Sequence, residues 1–157
     1  MRQSARITGR HNKIGERVKK AAAGRFTVMS ENQPVGNTGL RPDIILQRGE
    51  EDIVVDVCCP FENRMTALEE ARKEKERKYQ VVKENLRQRF QRVSVEAVVV
   101  GALGSWDPCN DGVLRRLCNR TYAKKMKRLC VSDVISSSRD IYYAHVSGKT
   151  PRREDVK

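Results

Sequence analysis

The chain has 157 residues, enough for one domain with a real core and too few for two sizeable ones. Its 32 lysines and arginines against 20 acids give a charge of +12 and a pI near 9.8, the footprint of a phosphate-backbone binder. It lacks an apolar run of roughly 18 residues, an apolar leader and any CxxC pair, so membrane, secreted, disulfide-framework and zinc-site classes are not expected.

In chain order, Ile14, Val18 and Ala21/Ala22 recur three to four apart with Gly24 as a stop, predicting a helix from Asn12 to Ala23. Residues 1–9 read as a tail. Phe26–Met29 is β-prone, and Asn32–Gly39 is a Gly-, Pro- and Asn-rich loop. The apolar runs Ile44–Leu46 and Ile53–Val57 flank Arg48-Gly49-Glu50-Glu51, which suits an antiparallel hairpin. Both faces of that hairpin carry Ile or Val, so both must be covered.

A helix without Gly or Pro is predicted from Arg64 to Phe90, then a mostly buried strand at Val93–Val100. Gly104–Gly112 reads as a loop holding Trp106. A basic helix is expected from Gly112 to Leu129, with Cys118, Tyr122, Met126 and Leu129 on one face. Ser136–Arg139 breaks the pattern, Ile141–Val146 suits a short strand, and Lys149–Lys157 reads as disordered. The expected domain spans residues 10–135, with residues 136–157 as a partly disordered extension. Its class is α/β: a mixed sheet with helices on both faces, ordered αβββαβ plus a C-terminal helix.

Closing the hairpin symmetrically about Arg48–Glu51 sets Gln47 against Asp52, Leu46 against Ile53, and Asp43 against Asp56. Opposed residues share a face with Cβ atoms about 5 Å apart. Two carboxylates so placed repel, and a divalent cation such as Mg²⁺ resolves the conflict. Capping of a turn by Asp43, or pairing of Asp56 with an arginine, would also explain them. At about 100° per residue, Leu68, Ala71, Tyr79, Val82 and Leu86 form one stripe of the long helix. Lys75 falls near the stripe's centre and Lys78 near its edge. An inward lysine needs an anionic partner or must snorkel. Two acids, a cation and a lysine make a phosphodiester-hydrolysing set.

Arg41-Pro42-Asp43, twelve residues and then Asp56 form a pattern that resembles the signature of restriction-like endonucleases, the PD-(D/E)XK class. Within that class it is similar to the endonuclease following the reverse transcriptase in R-two-type site-specific non-LTR retrotransposon polyproteins. Further likeness lies in Cys59-Pro60-Phe61-Glu62-Asn63-Arg64, in Lys75-Glu76-Arg77-Lys78-Tyr79, in Val98–Gly104, and in Arg10-His11-Asn12, over residues 10–120. The resemblance implies a restriction-endonuclease-like fold that nicks DNA in the nucleus with Mg²⁺, or Mn²⁺ as substitute. Asp43 and Asp56 would be metal ligands and Lys75 the catalytic lysine, with Lys78 and Tyr79 auxiliary; the choice between the two lysines stays open. Its partners would be DNA, the reverse transcriptase and zinc-knuckle parts of the same polyprotein, and element RNA. Cys58 departs from the class, standing where an orthodox member has its lysine. No reverse transcriptase and no knuckle cysteines lie within these 157 residues.

For DNA contacts the sequence offers Arg41 and the basic run Arg115, Arg116, Arg120, Lys124 and Lys125. Glu16 reads as a solvated helix residue, Glu62 as a stabiliser of a helix N-terminus, His11 as a surface or capping residue, and Trp106 as a core anchor or a base-stacking platform.

Overall fold

The computed structural model describes residues 3–148. The elements are α1 (Gln3–Ala22), β1 (Thr27–Glu31), β2 (Ile44–Arg48), β3 (Glu51–Cys58), α2 (Ala67–Lys78), α3 (Gln80–Leu86), β4 (Arg92–Val99), α4 (Asn110–Leu117) and α5 (Arg120–Ser147). The protein is mixed α/β. Four strands lie in the order β1-β2-β3-β4; β1–β2 and β2–β3 are antiparallel, and β3–β4 is parallel. The parallel pair needs a crossover, which α2 and α3 supply.

The hairpin register runs Gln47↔Asp52 and Leu46↔Ile53, as symmetric closure about Arg48–Glu51 requires. Gly49 takes the tight turn at φ 57°. Alternation then sends Leu46, Ile53, Val55 and Val57 to one face, where Ile14 and Val18 of α1, Leu114 of α4 and Met126 of α5 cover them. Ile45 and Val54 go to the other face, under Tyr79, Val82 and Leu86.

Several boundaries differ from expectation. The long helix is two, because Tyr79 sits at φ −93°, ψ 9°, outside the α-helical region, and α2 begins only at Ala67. The basic stretch is also two helices. Cys118 is extended (φ −152°), and Asn119 caps α5 by accepting from the Tyr122 amide at 2.8 Å. Residues 3–9, expected as tail, are helical. Ser136–Arg139 does not break α5, and Ile141–Val146 is helix rather than strand.

Both extensions have one cause. Arg10 Nη1 donates to Ser138 Oγ at 2.9 Å, Lys13 Nζ to Ser137 Oγ at 3.2 Å, and Arg17 pairs with Asp133 at 2.9 Å. These polar contacts flank the apolar core that Ile14 and Val18 of α1 share with Cys130 and Val134 of α5, and hydrophobic periodicity does not register them. The Lys149–Lys157 expectation lies outside the described residues. Among the described residues no disulfide joins the five cysteines; burial pushes the Cys130 thiol up to about 12, so it acts as core packing. No described helix is long and apolar enough to cross a membrane.

Asp52 is fully buried in β3, and its carboxylate oxygens have no hydrogen-bond partner among the described residues. Burial raises its pKa to about 6, with Arg89 opposing weakly. For an acid raised in the folded state, the stabilising contribution is complete below the unfolded value near 3.8 and is lost as pH climbs to about 6. The shift corresponds to about 3 kcal/mol. Asp52→Asn, which still buries an amide, should therefore stabilise the protein by about 1–2 kcal/mol at pH 8. It should also flatten the fall between pH 4 and 6; urea melts across that range are the check.

Candidate active site

The open end of the hairpin brings the two acids together. Ile44 pairs with Val55, so one further step sets Asp43 against Asp56. The exchange between them is tight: the Asp43 amide donates to Asp56 Oδ1 at 3.3 Å, and the Val57 amide donates to Asp43 Oδ2 at 2.8 Å. Alternation puts the Asp56 carboxylate on the side covered by α2 and α3, while Asp43, just before β2, meets α1 at the end of the sheet.

From that side α2 delivers Lys75, whose Nζ lies 2.7 Å from Asp56 Oδ2. The contact is electrostatic rather than directed, and Asp56 Oδ2 accepts no aligned hydrogen bond. One turn on, Tyr79 is buried beside Asp56, and burial together with the Asp56 charge raises the pKa of its phenol. Lys78 does not join this group: it is exposed and lies over the Tyr79 ring, 5.2 Å from its centre. The geometry thus favours Lys75 as the inward lysine. Cys58, on the same strand face as Asp56, is pushed by burial to about 12 and supplies no charge.

His11 reaches the acids from α1. Its Nε2 lies 3.0 Å from Asp43 Oδ2 and 3.0 Å from the Val57 carbonyl oxygen. Both neighbours accept, so Nε2 carries the hydrogen. His11 is therefore not the surface or capping residue expected. Only its position along α1 hinted at this, and only once α1 was known to extend before Asn12.

The electrostatics separate the two acids. Burial raises the Asp43 carboxyl, but the bond from His11, the neighbouring Asp56 side chain and the bond from the Val57 amide outweigh it, and the net shift is downward. Burial and the charge of Asp43 drive Asp56 upward, with Lys75 opposing. Burial disfavours the Lys75 ammonium, yet Asp56 more than restores it, and its pKa rises. The hydrogen bond from Asp43 holds the His11 imidazole above its ordinary value.

Asp43 and His11 open onto a cleft of about 660 Å³. Glu16 lines the same cleft, 61% exposed and bonded to Lys19 at 2.6 Å, which agrees with its reading as solvated. Arg41, two residues before Asp43, is exposed.

Three residues do other work than expected. Glu62 stabilises no helix start: its Oε1 accepts from the Ser105 amide at 3.0 Å, and a Cβ on Gly101 would overlap it. Arg116, offered for phosphate, bridges Glu51 and Glu96 at 2.7 Å each and ties α4 to the sheet. Arg72 was not anticipated. It is buried, and its guanidinium donates to Asp107 Oδ2 at 2.7 Å, the Ala97 carbonyl at 2.6 Å and Asn110 Oδ1 at 2.5 Å. It stands three residues before Lys75 on the same helix face, so it positions that lysine through α2. Arg115, Arg120, Lys124 and Lys125 remain exposed. Trp106 packs against the core and donates from Nε1 to Asp111 at 2.9 Å.

Among the described residues no three His, Cys, Asp or Glu side chains form a ready metal centre. The donor set still fits Mg²⁺, which is held by one or two carboxylates plus water and substrate oxygens. Asp56 Oδ2 has lone-pair capacity left over, and the Val57 carbonyl and Asp43 Oδ2 surround the same His11 nitrogen. The sequence matches no protein-family model and no curated protein.

Proposed function

We propose that the chain is a metal-dependent endonuclease domain that nicks DNA, with a restriction-endonuclease-like fold of the kind found in R-two-type non-LTR retrotransposon polyproteins. The observation that carries this reading is the convergence of Asp43, Asp56 and Lys75 at one end of the sheet, with Lys75 2.7 Å from Asp56, in a chain of charge +12. The run of one helix, three strands, a helical crossover and a fourth strand is consistent with it.

Asp43 and Asp56 would hold Mg²⁺, or Mn²⁺ in its place, and the ion when bound would polarise a phosphoryl oxygen and acidify a water. The remaining work falls to side chains. Lys75 places an ammonium beside the acids, where it stabilises charge building on the phosphoryl oxygens and orients the attacking water. Tyr79 packs beside Asp56 and shields it from water, and His11 fixes the rotamer of Asp43 by its bond at 3.0 Å. The exposed Arg41, Arg115, Arg120, Lys124 and Lys125 meet backbone phosphates, so binding weakens as salt rises. By the family resemblance, the nicked 3′ end would prime reverse transcription of element RNA in the nucleus.

The direct test is conversion of supercoiled plasmid to open circle with Mg²⁺, abolished by EDTA and by Asp43→Asn. Nicking untouched by Asp43→Asn and Lys75→Ala would sink the proposal. Salt-sensitive binding with no cleavage would identify a non-catalytic DNA-binding module on the same fold. His11→Ala should raise the Mg²⁺ concentration for half-maximal nicking by about 10-fold, because a partner that orients a ligating carboxylate is lost. Mn²⁺ binding followed by paramagnetic resonance should weaken in parallel, while the thermal midpoint holds.

A further inference from the structure

We infer that the open groove along the outer face of α5 binds single-stranded DNA. The inference rests on the proposed function only for the choice of DNA as the polyanion. The open space of about 730 Å³ is bounded by eight residues of α5, of which Lys124, Lys127, Arg128 and Arg139 are cations and none is acidic. Arg139 pairs with Asp140 at 3.3 Å beside it. Val131 and Ile135 supply apolar lining, and Ile135 is 50% exposed.

Cations around apolar surface suit a strand whose bases are unpaired. Phosphates meet the ammonium and guanidinium groups, while base faces cover Val131 and Ile135. A duplex hides its base faces and gains nothing from that apolar surface. An acidic peptide gains from the charge alone.

The groove also lies near the sheet end that holds the acids. After β4 the chain turns beside the C-terminal end of β3, with the Val100 amide bonded to the Cys58 carbonyl at 3.0 Å and the Ala102 amide to Pro60 at 2.8 Å. Gly104 then presses on the groove wall. At φ 100° it has no Cβ, and one built there would come within 2.8 Å of Ile135. Lys127 lies 5.8 Å from the centre of the Trp106 ring, which joins this turn to the groove's cations. The turn at residues 101–106 thus joins the sheet end that holds the acids to this charged, partly apolar face of α5.

The test measures anisotropy of a labelled dT12 oligonucleotide in EDTA, on the full chain carrying Asp56→Asn so that no cleavage intervenes. Ile135→Glu should weaken binding by about 10-fold, and Arg128→Gln with Arg139→Gln should do so by a similar factor. Both arginines are exposed, so that double variant should keep its thermal midpoint and decides the matter if Ile135→Glu disturbs the turn at Gly104. Unlabelled dT12 should compete at least about 10-fold better than a duplex 12-mer or polyglutamate. Unchanged affinity in the arginine variant overturns the inference. So does equal competition by polyglutamate, which marks a mere cationic surface, or stronger competition by U12, which marks an RNA groove. Plasmid nicking by the unmodified chain is scored separately. Its absence alongside groove-dependent dT12 binding would strike the active-site reading and leave the groove standing.

Discussion

Asp56→Asn should lower plasmid nicking by about 10³-fold while the protein stays folded. Asp56 is the point at which the Asp43 backbone and Lys75 meet, at 3.3 Å and 2.7 Å, with Tyr79 buried alongside. Asparagine has the same shape, so β3 keeps its packing. It carries no charge, so it binds a hard cation poorly and leaves Lys75 without its counter-ion. Stability should hold. Burial and the charge of Asp43 raise the Asp56 pKa, so its contribution is present at low pH and is lost as pH climbs through the folded value. Asparagine removes this pH dependence but strands the partly buried Lys75 ammonium, and the two effects oppose each other. Single-turnover nicking at saturating Mg²⁺, beside a thermal melt, measures both. Full activity in the variant would remove Asp56 from any active site.

Arg72→Ala should be the most damaging single change to the fold, at about 3–5 kcal/mol. The guanidinium fills three acceptors in a buried space, and its loss leaves the Asp107 carboxylate buried without its cation. Against a total stability of roughly 5–15 kcal/mol this is a large fraction, and the melting midpoint should fall by roughly 10–15 °C. Arg72→Lys should recover less than half, because one ammonium cannot reproduce a planar fork with three directed bonds. Arg72→Met combined with Asp107→Leu should be milder than Arg72→Met alone, since it leaves no charge stranded. A midpoint unchanged in Arg72→Ala would show that the network adds nothing to stability. Because α2 also carries Lys75, nicking should decline in Arg72→Lys more steeply than its stability does.

These two residues mark how far the chain could be read before its coordinates. The hairpin was legible because its register follows from counting outward from a short turn, and a single count sets Asp43 against Asp56. Lys75 was legible because a charge in an apolar stripe stands out. Arg72 shares the face of Lys75 and was open to the same angular reasoning. It went unnoticed because its partners, Asp107 and Asn110, lie 35 and 38 residues away in an apparent loop. His11, Glu62 and Arg116 were misread for the same reason: each acts through a distant partner that local pattern does not name. The helix breaks at Tyr79 and Cys118 carry no Gly or Pro, and backbone angles outside the helical region mark both sites.

The polar contact between α1 and α5 has a consequence for control. His11 is carried by the stretch of α1 whose arginine and lysine side chains reach Ser137, Ser138 and Asp133 along the rim of an apolar core that Ile14 and Val18 share with Cys130 and Val134. Such a fastening loosens with ionic strength far sooner than the valine-lined interior does. The imidazole that steadies Asp43 thus stands beside a salt-responsive rim, which couples the poise of the acid pair to the ionic surroundings that also govern its grip on a polyanion.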